Sequence, residues 1–273
     1  MQGPLLKASD YAAGKLRVLG LNAPYPFNFS LTDTGPAAVL DGKLTLSRMG
    51  GCGYFGNCLD LSGARLAEHG QRGAVSWGRY TGQARLRLLL VDLQRELGSR
   101  HAGLHYLVGE PTPAVSMPTR GIARYALSGA TSPTFASGKQ LPGSFSGQGL
   151  VQFGAGTGTR VAIEGELKFG NSQHYRMVTE GAQFDARGQL SGVGSTNLRM
   201  QSPTTFSGEL RVHSLGNEDS MKCGAGDCRA AISGGFFGER AAQMGLGYTI
   251  TSPKQAGETD TIHGAAVLDR VSP

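Results

Sequence analysis

The chain reads as an all-β protein that closes into an antiparallel barrel, and three observations lead there. Glycine supplies 43 of 273 residues, about twice its usual share. These glycines are scattered without a Gly-X-Y period, which excludes collagen and leaves frequent turns and bulges as their use. Val161-Ala162-Ile163-Glu164-Gly165-Glu166-Leu167-Lys168-Phe169 alternates apolar and polar positions, the pattern of a strand with one buried and one wet face. In Gly234-Gly235-Phe236-Phe237-Gly238-Glu239-Arg240-Ala241-Ala242-Gln243-Met244-Gly245 an apolar strand ends in glycines, a short helical turn follows, and a second strand begins. That order suits a closing hairpin whose helical turn plugs one end. A long antiparallel series that returns to its start favours closure, because closure leaves no exposed edge.

The elements follow in chain order. Residues 1–73 carry Pro and Gly interruptions, with strand-like runs at 16–21, 27–32 and 43–48. Ala23-Pro24-Tyr25-Pro26 is a stiff extended connector. Asp41-Gly42 between two apolar runs is a hairpin turn signal. From residue 74 the strands are more regular, at 75–80, 104–108, 122–127, 150–153, 161–169, 175–179, 206–212, 230–237, 248–251 and 262–268. The predicted organisation is a smaller β-rich region, 1–73, followed by a barrel, 74–273. Residues 84–97 support two readings. Leu86, Leu90, Leu93 and Leu97 share a helical face, yet 84–88 alternates like a strand. A strand to about Leu90 and then a helical turn is expected, with a second helical piece at 239–244.

Charge and targeting narrow the function classes. Lys and Arg number 26 against 20 Asp and Glu, a net charge of +6 without basic blocks. Dispersed positive charge is a solvated surface rather than a nucleic-acid footprint. No apolar run approaches the ~18 residues of a membrane helix. Met1-Gln2-Gly3-Pro4-Leu5-Leu6-Lys7 lacks the charged-then-apolar order of a leader, so none is expected within the chain. The four cysteines form two local pairs, Cys52 with Cys58 and Cys223 with Cys228, each bracketing a Gly-rich turn. Three connectivities are open; two local bridges in an oxidising compartment are favoured. A four-thiolate zinc site is the alternative, and the wide spacing of the first pair argues against it. An extracytoplasmic protein is expected.

The residues that chemistry would need are sparse. Gly154-Ala155-Gly156-Thr157-Gly158-Thr159-Arg160 resembles a phosphate-cradling loop, but Val161 opens a strand where a helix would be required. His101 and His105 lie four apart; Gly103 and the 104–108 strand pattern argue against a helix, and residues four apart in extended chain are ~13 Å from each other, too far to chelate one metal. Both read as surface histidines, with an axial haem ligand near Tyr106 as the sharper alternative. His69, His174, His213 and His263 are isolated and read as surface or structural. Gly143-Ser144-Phe145-Ser146-Gly147 is not a hydrolase elbow. Glu164 and Glu166 read as one wet strand face. Trp77, the only tryptophan, reads as core or barrel rim. No catalytic or metal site is expected.

Several stretches recur together. They are Val75-Ser76-Trp77-Gly78-Arg79-Tyr80, Leu104-His105-Tyr106-Leu107-Val108-Gly109-Glu110-Pro111-Thr112, Met117-Pro118-Thr119-Arg120-Gly121-Ile122-Ala123-Arg124-Tyr125 and Leu127-Ser128-Gly129-Ala130-Thr131-Ser132-Pro133-Thr134. With the closing hairpin they resemble the barrel domain of transferrin-binding-protein-B-like bacterial proteins, and more closely the barrel at the C-terminus of FecR-domain-containing proteins. The resemblance spans about 70–270. It implies an eight-stranded antiparallel barrel beside a smaller β region, with one or two short helical turns, in an envelope-exposed or secreted protein. It also implies binding or sensing connected with iron or haem supply, without catalysis. No FecR domain and no lipid-attachment cysteine is recognisable, and no family binding residue maps onto this chain. The expected function is recognition of a protein partner or haem through loops, by a monomer without nucleic acid. His101, His105 and Tyr106 are the haem candidates. A FecR-type sensor module and a ligand-free structural domain are the alternatives.

Overall fold

The computed structural model describes residues 63–83 and 101–271 with their side chains, apart from 225 and 253–259. Of residues 1–62 and 84–100 it describes the backbone of strands alone. Two β units emerge. The first is a sheet of short N-terminal strands (Arg17–Asn22, Ser30–Leu31, Ala37–Leu40, Lys43–Leu46, Cys58–Asp60 and Val91–Glu96) and three longer ones, β1 (Ala64–Arg72), β2 (Val75–Leu88) and β3 (Leu104–Gly109). Leu40 pairs with Lys43, as the Asp41-Gly42 turn signal predicts.

The second unit is a closed barrel of eight antiparallel strands. These are β4 (Ile122–Ala130), β5 (Ser144–Gln152), β6 (Arg160–Phe169), β7 (Gln173–Val178), β8 (Thr205–Ser214), β9 (Cys228–Phe237), β10 (Gln243–Thr251) and β11 (Thr261–Val271). Each pairs with its successor, and β11 returns to β4 through Arg124↔Val271 to Ala130↔Ala266, so no edge is left open. Alternation is kept around the wall. Val161, Ile163, Leu167 and Phe169 of β6 point into the core, while Glu164 and Glu166 point out. Tyr125, Phe135, Phe169, Tyr175, Phe206 and Phe236 meet inside, with ring centroids as close as 4.6 Å. The barrel is a packed core rather than a vessel.

Two expectations change. Residues 84–97 contain no helical turn among the described residues; β2 runs to Leu88 and Val91–Glu96 pairs back along it, with Leu86 opposite Leu93. Leu86 and Leu93, which share a helical face, are cross-strand partners instead, and Leu90 and Leu97 lie outside the described residues. The expected helical piece 239–244 shrinks to a 3-10 turn, Glu239–Ala241, because Gln243 already pairs with Phe237 and Asp269. Arg240 and Ala241 sit at φ 53° and 58°, a conformation costly for non-glycine residues. Offsetting contacts come from the buried Tyr125 hydroxyl, which donates to the Ala241 carbonyl at 2.7 Å, and from the Arg270 N–H on the Ala242 carbonyl at 2.9 Å. A second 3-10 turn lies at Ala114–Ser116. Around position 73/74, Arg72 pairs with Val75 across a tight hairpin, and β2 and β3 belong to the first sheet. The two ladders separate between Gly109 and Ile122.

The units meet along β2 and β3. Val75, Trp77 and Leu107 pack against Phe237, Ala265 and Val267 from the outer wall of the barrel. The indole of Trp77 occupies space that only glycines leave: a Cβ at Gly70 or at Gly129 would fall inside its ring. Trp77 is 9% exposed. Trp77→Ala is expected to cost about 3–5 kcal/mol, and Gly129→Val about 1–3 kcal/mol through overpacking. Both are read as lowered urea midpoints. Midpoints equal to that of the unaltered chain would mean that the indole does not couple the units.

Candidate binding surfaces

β3 is buried at all six positions because it is enclosed on both faces. Its odd-numbered residues face the barrel, and there a polar patch continues the apolar seam. His105 places Nδ1 2.8 Å from Thr131 Oγ1 and Nε2 2.8 Å from Thr134 Oγ1. His263, the ladder partner of Thr134, places Nδ1 3.2 Å from Thr249 Oγ1 and Nε2 2.9 Å from Thr261 Oγ1. Beside them Arg79 donates to Glu68 at 2.6 Å and to the Ala102 carbonyl at 2.9 Å. The second Glu68 oxygen accepts the Ser132 N–H at 2.7 Å, tying the sheet to the barrel. Burial, then the neighbouring His263 and Arg79, hold His105 well below the ordinary imidazole value. Burial lowers His263 to about 4, with Asp260 opposing.

The three haem candidates therefore part company. His105 is enclosed, 1% exposed, rather than the surface residue expected. Sequence spacing could not reveal that its strand face is covered by a second unit. Both of its nitrogens are engaged, so an iron would have to displace a threonine. Tyr106 points to the opposite face of β3 and rests on Tyr80 with centroids 5.5 Å apart; burial pushes its phenol up. His101 is half-buried ahead of the strand. His263, read as surface or structural, is buried and structural.

A second polar site was not foreseen. Ser146 and Gln148 of β5, Glu164 and Glu166 of β6, and the segment Arg187, Gly188 and Gln189 line an open groove of about 310 Å³ on the barrel flank. The segment comes from a small hairpin (Gln183–Phe184 with Leu190–Gly192) that lies on the outer wall, where Leu190 and Val193 cover Leu150 and Ala162. Glu164, 8% exposed, accepts from Arg176 Nε at 2.7 Å and from Gln148 Nε2 at 2.6 Å. Gln148 also donates to the Gly188 carbonyl at 2.9 Å and accepts the Leu190 N–H at 3.1 Å. Glu166 faces His174 Nε2 at 3.2 Å. The two carboxylates on one strand face were legible in the sequence. Their cross-strand partners Gln148 and Ser146, and the hairpin that walls the groove, depend on register. The groove offers hydrogen bonds to a polar group; its carboxylates are already paired. Among the described residues no three His, Cys, Asp or Glu side chains converge as a metal site.

The far end of the barrel carries the Cys223–Cys228 disulfide, with Cα atoms 4.8 Å apart and both residues fully buried. The bridge uses two sulfurs that the zinc alternative required. Cys52 lies outside the described residues, as does the side chain of Cys58. The loop it pins is held also by the Glu218 N–H on the Ser172 carbonyl at 3.2 Å and by Ser220 on Gln173 at 2.9 Å. At the opposite end, Gly154 and Thr159 exchange hydrogen bonds across the glycine-rich 153–159 connection, a hairpin loop as predicted.

No family model matches the chain, and no curated protein matches it. Among solved structures, it is similar to a double mutant of transferrin binding protein B from Haemophilus parasuis Hp5, with 13% identity and a TM-score of 0.45 over 94% of this chain and 45% of that one. It is similar to isotype 1 transferrin binding protein B from serogroup B Neisseria meningitidis, with 13% identity and a TM-score of 0.41 over 94% and 43%. A surface lipoprotein gives 11% identity and a TM-score of 0.38 over 94% and 99%. The chain spans less than half the length of the first two. With every TM-score here below 0.5, the likeness assigns no ligand, and the barrel rests on the chain's own ladders.

Two predictions follow from this geometry. The unfolded chain binds protons at the two histidines from about pH 6.5 downward, while the fold resists them. Stability is therefore whole above pH 6.5 and falls as pH drops toward about 4, the folded value of His263, which alone accounts for about 3 kcal/mol. Emission from Trp77 during urea unfolding at stepped pH reads this at the seam, and His105→Gln/His263→Gln should flatten the slope. A slope unchanged in that variant would place the acid sensitivity elsewhere. Cys223→Ser/Cys228→Ser opens a small ring and should cost ~2 kcal/mol by the loop-entropy relation, measured against the oxidised protein by thermal unfolding.

Proposed function

We propose that the chain is a non-catalytic, extracytoplasmic binding protein that recognises a partner through its outer surface, in the context of iron or haem acquisition. One observation carries the reading: the barrel lumen is filled by its own rings, Tyr125, Phe135, Phe169, Tyr175, Phe206 and Phe236 among them. A lumen packed with side chains does not suit a small ligand inside, so recognition belongs to the loops and flank. Loops on a rigid scaffold bind well because little freedom is lost on contact. The Cys223–Cys228 bridge and its hydrogen-bonded loop support this, and the bridge supports an oxidising compartment. The iron or haem context rests on the sequence resemblance.

The direct test is surface plasmon resonance of the immobilised protein against haemin, iron-loaded transferrin and haemoglobin. Saturable binding to one of the two proteins, weakened by reducing the Cys223–Cys228 bridge, is the expected result. Saturable haemin binding at one equivalent, lost in His101→Ala, would instead make haem the ligand. No binding to any of the three would overturn the iron context and favour the sensor reading.

A further inference from the structure

We propose that the barrel end carrying the Glu239–Ala241 turn docks on an anionic phospholipid bilayer. In this arrangement Val115, Ile122 and Val271 enter the headgroup layer, and Arg120, Arg124 and Arg160 meet the phosphates. The proposal is independent of which partner the protein recognises.

The strand register makes the patch continuous. Ile122 lies opposite Gln152, which lies opposite Arg160, so the three form one row across β4, β5 and β6. Arg124 follows on the same face of β4 as Ile122, and its ladder partner on β11 is Val271. Arg120 directly precedes Gly121, whose carbonyl accepts the Phe153 N–H at 2.8 Å. Arg270 lies 5.6 Å over the Phe153 ring and donates to the Arg240 carbonyl at 3.3 Å, closing the mouth from the other side. The Ala114–Ser116 turn packs beside Glu239–Ala241, and Val115 at its tip is 96% exposed. Ile122 is 59% exposed and Val271 39%. Three of the five large apolar side chains exposed among the described residues thus gather at this end.

The charge there is unbalanced. Arg120, Arg160 and Arg240 have no carboxylate partner among the described residues, and Arg124 donates to the Leu190 carbonyl at 2.6 Å. Asp269 is engaged by Arg72 and Gln243, each at 2.8 Å. Among the described residues Asp185 lies near Arg124, and Glu110 and Glu239 lie near the mouth, so three carboxylates stand against the five arginines. At the disulfide end Lys139, Lys168, Lys222 and Arg229 are matched by Glu218, Asp219, Asp227 and Asp260. Uncompensated arginines around aliphatic tips suit a phosphate-bearing interface, where the cations stay at headgroup level and the tips reach below. A protein partner is the weaker fit. Protein interfaces are anchored by aromatic side chains in packed pockets, whereas no aromatic side chain is exposed among the described residues.

The test is co-sedimentation of the full chain with vesicles of phosphatidylglycerol and phosphatidylcholine, against phosphatidylcholine alone. Binding is expected only to the anionic vesicles and should weaken as salt is raised. It should fall roughly tenfold or more in Arg120→Ala/Arg160→Ala/Arg240→Ala, by the usual contribution of a basic residue at an anionic surface. Val115→Asp should also weaken it, and Lys139→Ala/Lys168→Ala at the opposite end should not. Circular dichroism establishes that each variant is folded. The proposal fails if anionic vesicles are not bound, or if the opposite-end variant loses as much as the arginine variant. Binding that Val115→Asp leaves intact and that poly-glutamate competes away would replace the bilayer with an acidic protein.

Discussion

The structure depends on one packing constraint, the seat of the Trp77 indole between Gly70 of the sheet and Gly129 of the barrel. A flat sheet and a curved wall touch closely only where side chains on both are small enough to admit a ring. Once the indole is seated, Val75 and Leu107 meet Phe237, Ala265 and Val267 without gaps. The same strand faces then carry Arg79 and His105 onto the polar part of the seam, because side chains two apart share a face. Apolar packing and the histidine–threonine network are consecutive stretches of one interface.

That interface explains the placement of the polar residues. The barrel encloses its rings, and the seam encloses two imidazoles whose ring nitrogens all meet threonine hydroxyls. Apart from the Arg79–Glu68 pair in the seam, the ion pairs lie on the outer surface. Glu164 shows the pattern: it sits on the outside of the wall, yet a hairpin covers it, and Arg176 and Gln148 hold its carboxylate. Outward chemistry divides into three regions, the flank groove, the disulfide-pinned loop and the arginine-lined mouth. They belong to different connections and can differ in role without disturbing the core.

Legibility in the sequence followed how local each determinant was. Every strand expected from residue 104 onward is present, because alternation and turn residues are written within a few positions. The short helical turn at Glu239 was legible through its glycine and the strands on either side, though its length was set by the pairing of Gln243. Residues 84–97 misled because leucines at helical spacing are also compatible with two strands joined by a tight connection. The two-residue link between Arg72 and Val75 hid the continuity of the first sheet. His105 read as a surface histidine because Thr131 and Thr134 are separated from it by more than twenty positions.

By itself the sequence determined the all-β class, the closing hairpin and the absence of a recognisable catalytic constellation, since each rests on residue type and short spacing. It also singled out Cys223 and Cys228 as a local pair, which a sequence separation of five can bring together. Tertiary structure alone decided which faces are covered. The burial of His105 and His263, the walls of the flank groove, the row Ile122–Gln152–Arg160 and the limits of the two units all depend on register and on the contact between sheet and barrel. A strand records in its sequence that one face is apolar; what lies against that face is set by chain that is distant in sequence.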